Sequence, residues 1–424
     1  MPLNTKVDLP ASTPESPSAA QGPTRFIARQ PIFDRQERVY GYELLFRLGL
    51  ENRYTAVDAD AAARDVADNF LNADAKTLTA GRKAFFNCTR DFLVNEYATL
   101  LPKEETVIEI LETVEPDAEV LAACHRLKDQ GYVIALDDFV DSEKFRPFVE
   151  LASIIKVDFQ LSGSSERQRL VAKFAPLGIQ LLAEKVETRA ELAEALRSGY
   201  TYFQGYFFCK PQIVASAHIP AFKVHYLRLL QAINNSELDR AEVVTLIDRE
   251  VSLCYKLLRL VNSPLFGFRH EIRSVGHALA LLGDRELRKW ASVAAVLGLA
   301  GDDPNELVLT SLTRGRCCEL LSANLGRQKG EQSLFLLGVL SLMDAMLGRP
   351  LAEIVAEIAL PETVRAALLG SPNHHREALD LVKAYEAGKW GEASELASGL
   401  HQDESQLSAI YTEGIDWAQK AFQV

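Results

Sequence analysis

The stretch "YVIALDDF", residues 132–139, decides the fold of this chain. Its apolar half reads as a short strand buried on both faces, and it ends on adjacent carboxylates, Asp137 and Asp138. Two like charges that close together are costly unless a cation or another partner sits between them. The charged, loop-like residues that follow, "VDSEKF" at 140–145, contain no glycine.

Similar runs lie on either side. From Phe26 to about Pro211 the chain holds "RFIARQPIF", "AFFNC", "TVIEIL", "SIIKVDF", "IQLLAEKV" and "YFQGYFF". Between several of them lie amphipathic stretches that close on a glycine, such as "EVLAACHRLKDQG" and "RAELAEALRSG". This alternation calls for a parallel sheet, open or closed into a barrel. Polar residues decide between the two. Nearly every run carries one acid, amide or lysine toward its C-terminal end: Asn87, Glu109, Asp137 with Asp138, Lys156, Glu184 and Gln204. In an α/β TIM-like (β/α) barrel those ends converge on one mouth. An open sheet would spread them along a crevice and would usually add a glycine-rich phosphate loop, which the sequence lacks. The barrel is the expected fold.

After about residue 212 the apolar residues recur at three- and four-residue steps, and an all-α helical domain is expected over 212–424. Within it the run 334–347 reads as one buried core helix, too short to span a bilayer. Residues 1–24, rich in Pro, Ser and Ala, read as a disordered leader, which leaves 25–211 for the barrel.

With 424 residues, 48% of them hydrophobic and 25% charged, the chain has the composition of a soluble globular protein of two or three domains. A formal net charge of −12 argues against bulk affinity for nucleic acid or an anionic membrane. There is no apolar span of transmembrane length, no signal-like start and no C-x-x-C pair among the six cysteines. A cytoplasmic chain with reduced thiols is the expectation.

Glu43, Asn87, Glu109, Asp137 and Asp138 are hard oxygen ligands of the kind that Mg²⁺ or Mn²⁺ prefers. Adding Glu184 gives enough carboxylates for two cations, which together can clamp a phosphodiester and acidify a bound water. Lys156 suits the positioning of that water, and Arg47 offers a fork for a phosphate or a guanine edge.

These motifs resemble the EAL-domain cyclic di-GMP phosphodiesterases. "YELLFR" at 42–47 is similar to the E-A-L-x-R signature, with Glu43 and Arg47 kept. "FFNC" supplies Asn87, "IEILE" supplies Glu109 and Glu112, and "LDDF" the aspartate pair. "IKVD" supplies Lys156, "AEKVET" supplies Glu184 and Glu187, and "QGYFFCKP" supplies Gln204. The resemblance implies a barrel that cleaves cyclic di-GMP to linear pGpG with two Mg²⁺ or Mn²⁺ ions. It assigns Glu43, Asn87, Glu109 and Asp137 to the first ion, and Asp137, Asp138 and Glu184 to the second. Lys156 and Gln204 fall near the water, with Arg47, Glu187 and Gln30 facing the nucleotide. It also makes Glu112 the anchor of the loop after Asp138, and implies a homodimer with contacts through that loop. Two departures stand out: Lys185 replaces a glycine, and "VDSEKF" replaces a glycine-rich loop.

"LLRLVNSPLFGFRHEIRSVGHALALLGDRELRKW", 257–290, resembles the HDOD domain, a helical relative of HD phosphohydrolases. Those enzymes need adjacent His-Asp ligands, and none of the eight histidines here is followed by Asp. The helical half is therefore expected to be non-catalytic and to regulate or to contact a protein partner that the sequence does not name. His277, on an apolar helix, reads as a core residue. Two functions stand side by side: a metal-dependent phosphodiesterase governed by its helical half, and a cyclic di-GMP receptor or scaffold with little or no turnover.

Overall fold

In a computed structural model of the chain, the residues described are 25–48, 74–210, 221–235, 237–262, 272, 274–300, 306–324 and 331–422. The expected leader, most of the "VNSPLFG" segment and part of the connection after the second strand lie outside them.

Eight strands close into a barrel in chain order: β1 (Arg25–Phe33), β2 (Val39–Leu48), β3 (Lys83–Cys88), β4 (Thr106–Ile110), β5 (Val133–Leu136), β6 (Ile154–Asp158), β7 (Gln180–Glu184) and β8 (Tyr202–Gln204). The α/β TIM-like barrel expected from the polar strand ends is present, with one difference. β1 runs antiparallel to both its neighbours, β2 and β8, whereas the other pairs are parallel. A tight turn is the local cause: Asp34 N–H donates to Arg38 O (2.8 Å) and the Asp34 carboxylate accepts from the Gln36 and Arg38 amides. A turn that short can join only antiparallel strands. β2 carries the signature residues but was not read as one of the apolar runs, because Gly41 and Glu43 interrupt its hydrophobic pattern.

The strand period of two builds the barrel interior in layers. One layer is apolar: Ile32, Phe85, Val107, Ala135, Ile154, Leu182 and Tyr202, all buried. Two residues further toward the mouth on β3, β4, β6, β7 and β8 stand Asn87, Glu109, Lys156, Glu184 and Gln204, with Asp137 two residues beyond Ala135. Because β1 runs the other way, its Gln30 lies opposite Glu43 and two residues before Ile32, which pairs with Gln204. Every strand thus sends one polar residue into the same layer.

β2 pairs with β3 only over Gly41–Leu44, so the β1–β2 ribbon overhangs the rim. The C-terminal helices dock on this overhang. Phe26 packs against Tyr385 and Trp390 (ring centroids 6.3 and 6.1 Å), and Ile27 N–H donates to the Tyr385 hydroxyl (3.2 Å). Deeper in the contact, Arg29 and Glu306, each with a side chain 4% exposed, form an ion pair at 3.5 Å. The Tyr42 hydroxyl donates to Glu306 (2.7 Å), and the Arg29 guanidinium lies 4.2 Å from the Tyr42 ring centre. Burial raises the Glu306 carboxyl above its ordinary value, against the pull of Arg29.

After the barrel the described residues are helical, from Ala221–Asn234 to Leu407–Phe422. The run 334–347 is buried for most of its length, yet it forms two helices rather than one, Glu331–Leu340 and Met343–Leu347. His277 is corrected: it stands exposed in the first turn of Val275–Ala300, on the face of that helix turned away from the core. Among the described residues no helix is long and apolar enough to cross a membrane.

Removing Glu306 would strand the Arg29 charge in the interface, an uncompensated loss worth about 3–5 kcal/mol. Glu306→Ala is expected to lower unfolding stability by about that amount in denaturant melts. Arg29→Met combined with Glu306→Leu should recover part of it; a double variant no better than Glu306→Ala would contradict the ion-pair account.

Candidate active site

The polar layer at the barrel mouth is organised around one ammonium. Lys156 is fully buried on β6, and its Nζ lies 2.7 Å from Asp137, 2.8 Å from Glu109, 2.9 Å from Glu184 and 3.4 Å from Glu43. Gln204 donates to Glu43 (2.6 Å) and to Gln30 (3.0 Å), and Asn87 donates to the other Glu43 oxygen (3.0 Å). Seven of the residues expected from the sequence, Gln30, Glu43, Asn87, Glu109, Asp137, Glu184 and Gln204, are therefore bonded to Lys156 directly or through Glu43.

Charge balance follows from burial. Desolvation would lower Lys156, but the Asp137, Glu109, Glu184 and Glu43 charges hold it well above the ordinary lysine value. Burial pushes Glu109 well up, raises Asp137, and carries Glu184 up to about 8. For Glu43 burial works in the same direction, yet the Lys156 charge and the amide hydrogen bonds outweigh it and leave its carboxyl below the usual range. One lysine cannot satisfy four buried acids.

Oxygen atoms are left over. Asn87 Oδ1, Glu109 Oε2, Glu184 Oε2 and Gln204 Oε1 are buried with neither a hydrogen-bond donor nor an ion-pair partner among the described residues. Among the described residues no three acid, histidine or cysteine side chains form a ready cage by themselves, because the acids close on Lys156 instead. The leftover lone pairs are nonetheless hard oxygen donors, carboxyl and amide, which is the donor set a divalent cation takes. The residues present fit such an ion.

The two departures from the resembled pattern meet beside this centre. Asp138 and Lys185 both have positive φ, +38° and +53°, a strained conformation for residues with a Cβ. Lys185 Nζ lies 2.5 Å from Asp158 and 3.5 Å from Asp138. Asp158, two residues past Lys156, was not singled out from the sequence, and its signal was only its place at the end of β6. Gly205 (φ +142°) follows Gln204 where a Cβ would collide with the Val186 backbone, so β8 can close on the Lys185 turn only with glycine there.

The remaining expected residues are placed as follows. Glu187 lines the cleft and accepts from Gln160 (2.7 Å). Arg47 shares the face of β2 that carries Glu43 and Leu45 but is not among the cleft-lining residues. Glu112, expected to anchor the loop after Asp138, is exposed and forms no ion pair or hydrogen bond among the described residues. Other groups hold that loop: Asp141 pairs with Lys173 (2.6 Å) and Arg169 (2.9 Å), Lys144 with Glu115 (2.5 Å), and Phe139 packs edge-on against Phe174. No residue from Phe139 to Phe145 has positive φ, so the glycine-free loop follows a course that its side chains tolerate.

Above the acids opens a cleft of about 890 Å³, lined on one side by Glu43, Asp137, Asp138 and Glu184 and on the other by residues of the helical half, Arg314 to Glu392. The second wall was not legible in the sequence, because nothing in the pattern of a helix tells which face a distant strand pair will meet.

Comparison with known proteins bears on both halves. The EAL domain model matches residues 82–211 and the HDOD domain model residues 219–361. The chain is 35% identical over 401 residues to YuxH of Bacillus subtilis (strain 168), covering 92% of this chain and 97% of that one. It is 32% identical over 400 residues to the cyclic di-GMP phosphodiesterase CdgJ of Vibrio cholerae, covering 93% of each. The solved structure of the Bacillus subtilis YkuI protein, with an EAL domain and in complex with c-di-GMP and calcium, is 20% identical with a TM-score of 0.36. It covers 55% of this chain and 74% of that one, too distant a likeness to speak for individual residues. The two relatives match this chain along nearly its whole length, and the chain belongs to the family in which an EAL domain is followed by an HDOD domain.

Proposed function

We propose that the chain is a metal-dependent phosphodiesterase that cleaves cyclic di-GMP to pGpG and is governed by its helical half. The observation that carries this reading is the ring of Glu43, Glu109, Asp137 and Glu184 within 3.4 Å of one buried ammonium, with donor oxygens left over. The relative CdgJ, a cyclic di-GMP phosphodiesterase similar along nearly the whole chain, supports the substrate.

Glu43, Asn87, Glu109 and Asp137 would hold one Mg²⁺ or Mn²⁺, and Asp138 and Glu184 together with Asp137 a second. When bound, such ions neutralise phosphodiester charge and acidify a coordinated water. The chain's own residues supply the rest. Lys156 remains protonated and steadies negative charge above the acid ring, so it is a hydrogen-bond donor and not a base. Gln204 and Asn87 fix the Glu43 carboxylate from both sides. Gln30, Arg47 and Glu187 serve the nucleotide, with Gln30 already bonded into the Gln204–Glu43 chain.

A second reading, a receptor with weak turnover, is favoured by Lys185. Its ammonium takes up Asp138 and Asp158, at the place where the second ion would sit. The physical competition is direct, since one fixed positive charge lowers the attraction of the same carboxylates for a cation.

Incubation of the full chain with cyclic di-GMP and Mn²⁺ or Mg²⁺ should yield pGpG. Glu43→Ala and Asp137→Ala should each slow this by more than about a hundredfold, since even outer-shell partners of a metal cost 10–100-fold. Binding without product would leave the receptor, and unchanged turnover in either variant would remove the metal assignment. Lys185→Gly relieves the positive-φ strain while giving up a half-exposed ion pair, so stability should stay within about 1 kcal/mol of wild type. Calorimetric titration with Mn²⁺ should then show several-fold tighter binding, and equal affinity would mean that Lys185 does not compete for the site.

A further inference from the structure

The cleft above the acid ring belongs to both halves of the chain, and its second wall has its own chemistry. Its volume, about 890 Å³, lies within the range of about 300–1,000 Å³ of small-molecule sites. The helices His374–Glu386 and Trp390–Gly399 form much of that wall. Both lie beyond residue 361, outside the span of either matched domain. They are fastened to the barrel at their joining turn. Gln30 Nε2 donates to Ala387 O (3.4 Å), and Gly388, at φ +66°, sits so close to Leu45 that a Cβ would come within 2.7 Å of Leu45 Cδ1. A wall seated this tightly on β1 and β2 stays in register with the site.

Six cationic side chains line the cleft: Lys185, Lys210, Arg314, Arg376, Lys383 and Lys389. Five have an acid within reach. Lys185 pairs with Asp158, Lys210 with Glu187 (3.3 Å), Arg314 with Glu386 (2.7 Å), Arg376 with Asp380 (2.7 Å) and Lys389 with Glu392 (3.4 Å). Of these six, Lys383 alone has an ammonium that forms no ion pair or hydrogen bond with the described residues. Asp344, also on this wall, accepts from the Ala345 amide (2.8 Å) and feels the Lys383 charge without forming an ion pair with it. Lys383 is half-buried, and burial followed by the Arg314 and Arg376 charges lowers its pKa, although Asp380 and Glu386 pull the other way. A half-buried ammonium beside two arginines is costly unless an anion meets it.

We propose that Lys383 is a substrate-binding residue supplied by the helical half, whose ammonium receives a phosphate of the cyclic dinucleotide across the cleft from the acid ring. The inference rests on the phosphodiesterase or receptor reading above and adds to it that the helical half is part of the binding site. The acid floor repels a dianionic ligand, and metal ions there offset that repulsion only at one phosphate. A cation on the facing wall serves a second phosphate of the same molecule. Access to the site then depends on how the C-terminal helices sit on the β1–β2 overhang, which gives the helical half a physical route to control the barrel.

The test uses the full chain, with cyclic di-GMP binding measured by calorimetry in Ca²⁺ and thermal melts of the ligand-free protein alongside. Lys383→Met should weaken binding by about tenfold, the loss of one charge-assisted hydrogen bond. Binding should also become less sensitive to salt than in the wild type. Lys383→Arg should restore most of the affinity. The melting temperature of Lys383→Met should stay level or rise, since the charge removed forms no ion pair among the described residues. Unchanged affinity in Lys383→Met overturns the proposal while wild-type binding keeps the functional reading intact. A melting temperature several degrees lower also overturns it, by making Lys383 a structural residue. Absence of binding by the wild type removes the functional reading and the proposal together.

Discussion

The Lys156 ammonium is the charge on which the barrel mouth depends. Four carboxylates approach it within 3.4 Å in a layer from which water is largely excluded, and no other cation of the described chain reaches them all. Without it the acids would repel one another at distances where the interior dielectric screens little. With it they remain buried and over-supplied with negative charge, and burial first, then the neighbouring acids, raises the carboxyls of Glu109, Asp137 and Glu184. The site is therefore stable enough to fold and still attractive to a further cation. Stability is spent on this crowding of like charges.

Beneath that layer a plug of apolar side chains fixes the height of each polar residue, because two steps along any strand return to the same face. The antiparallel β1 adds a consequence of its own. It brings Gln30 to the height of Glu43 and Gln204, and it carries Arg29, Ile27 and Phe26 past the rim to meet the helices. One reversed strand thus both completes the site and provides the dock for the second half of the molecule. The buried Arg29–Glu306–Tyr42 group ties these roles together, since β1, β2 and the Glu306–Asn324 helix each supply one member.

The two departures seen in the sequence have different structural outcomes. The glycine-free loop after Asp138 finds new anchors in Asp141 and Lys144 and needs no left-handed residue of its own. Lys185 cannot be accommodated so freely, because the β7 turn imposes φ +53° on it and leaves its ammonium on Asp138 and Asp158. Strain at Asp138 and Lys185 therefore gathers at the edge of the site where the resembled family keeps glycine at one of the two positions.

How far the sequence could be read follows from the range of each signal. Strand periodicity and one polar residue per strand end were local, so the barrel and the set Asn87, Glu109, Asp137, Lys156, Glu184 and Gln204 could be picked out from the residues alone, while Glu43 stood out by its donor chemistry and the signature it sits in. The direction of β1 rests on a turn closed by the Asp34 side chain, a subtle local cue beside two strong apolar runs. His277 was misjudged because helical periodicity gives a face but not the neighbour that covers it. The sequence by itself determined which residues form the acid ring, since the alternation of side chains across a strand is built into the backbone. Only the tertiary structure decided what faces that ring: the wall with Lys383, the salt bridge from Lys185 and the exposed place of Glu112 arise from contacts between segments far apart in the chain, which no local period encodes.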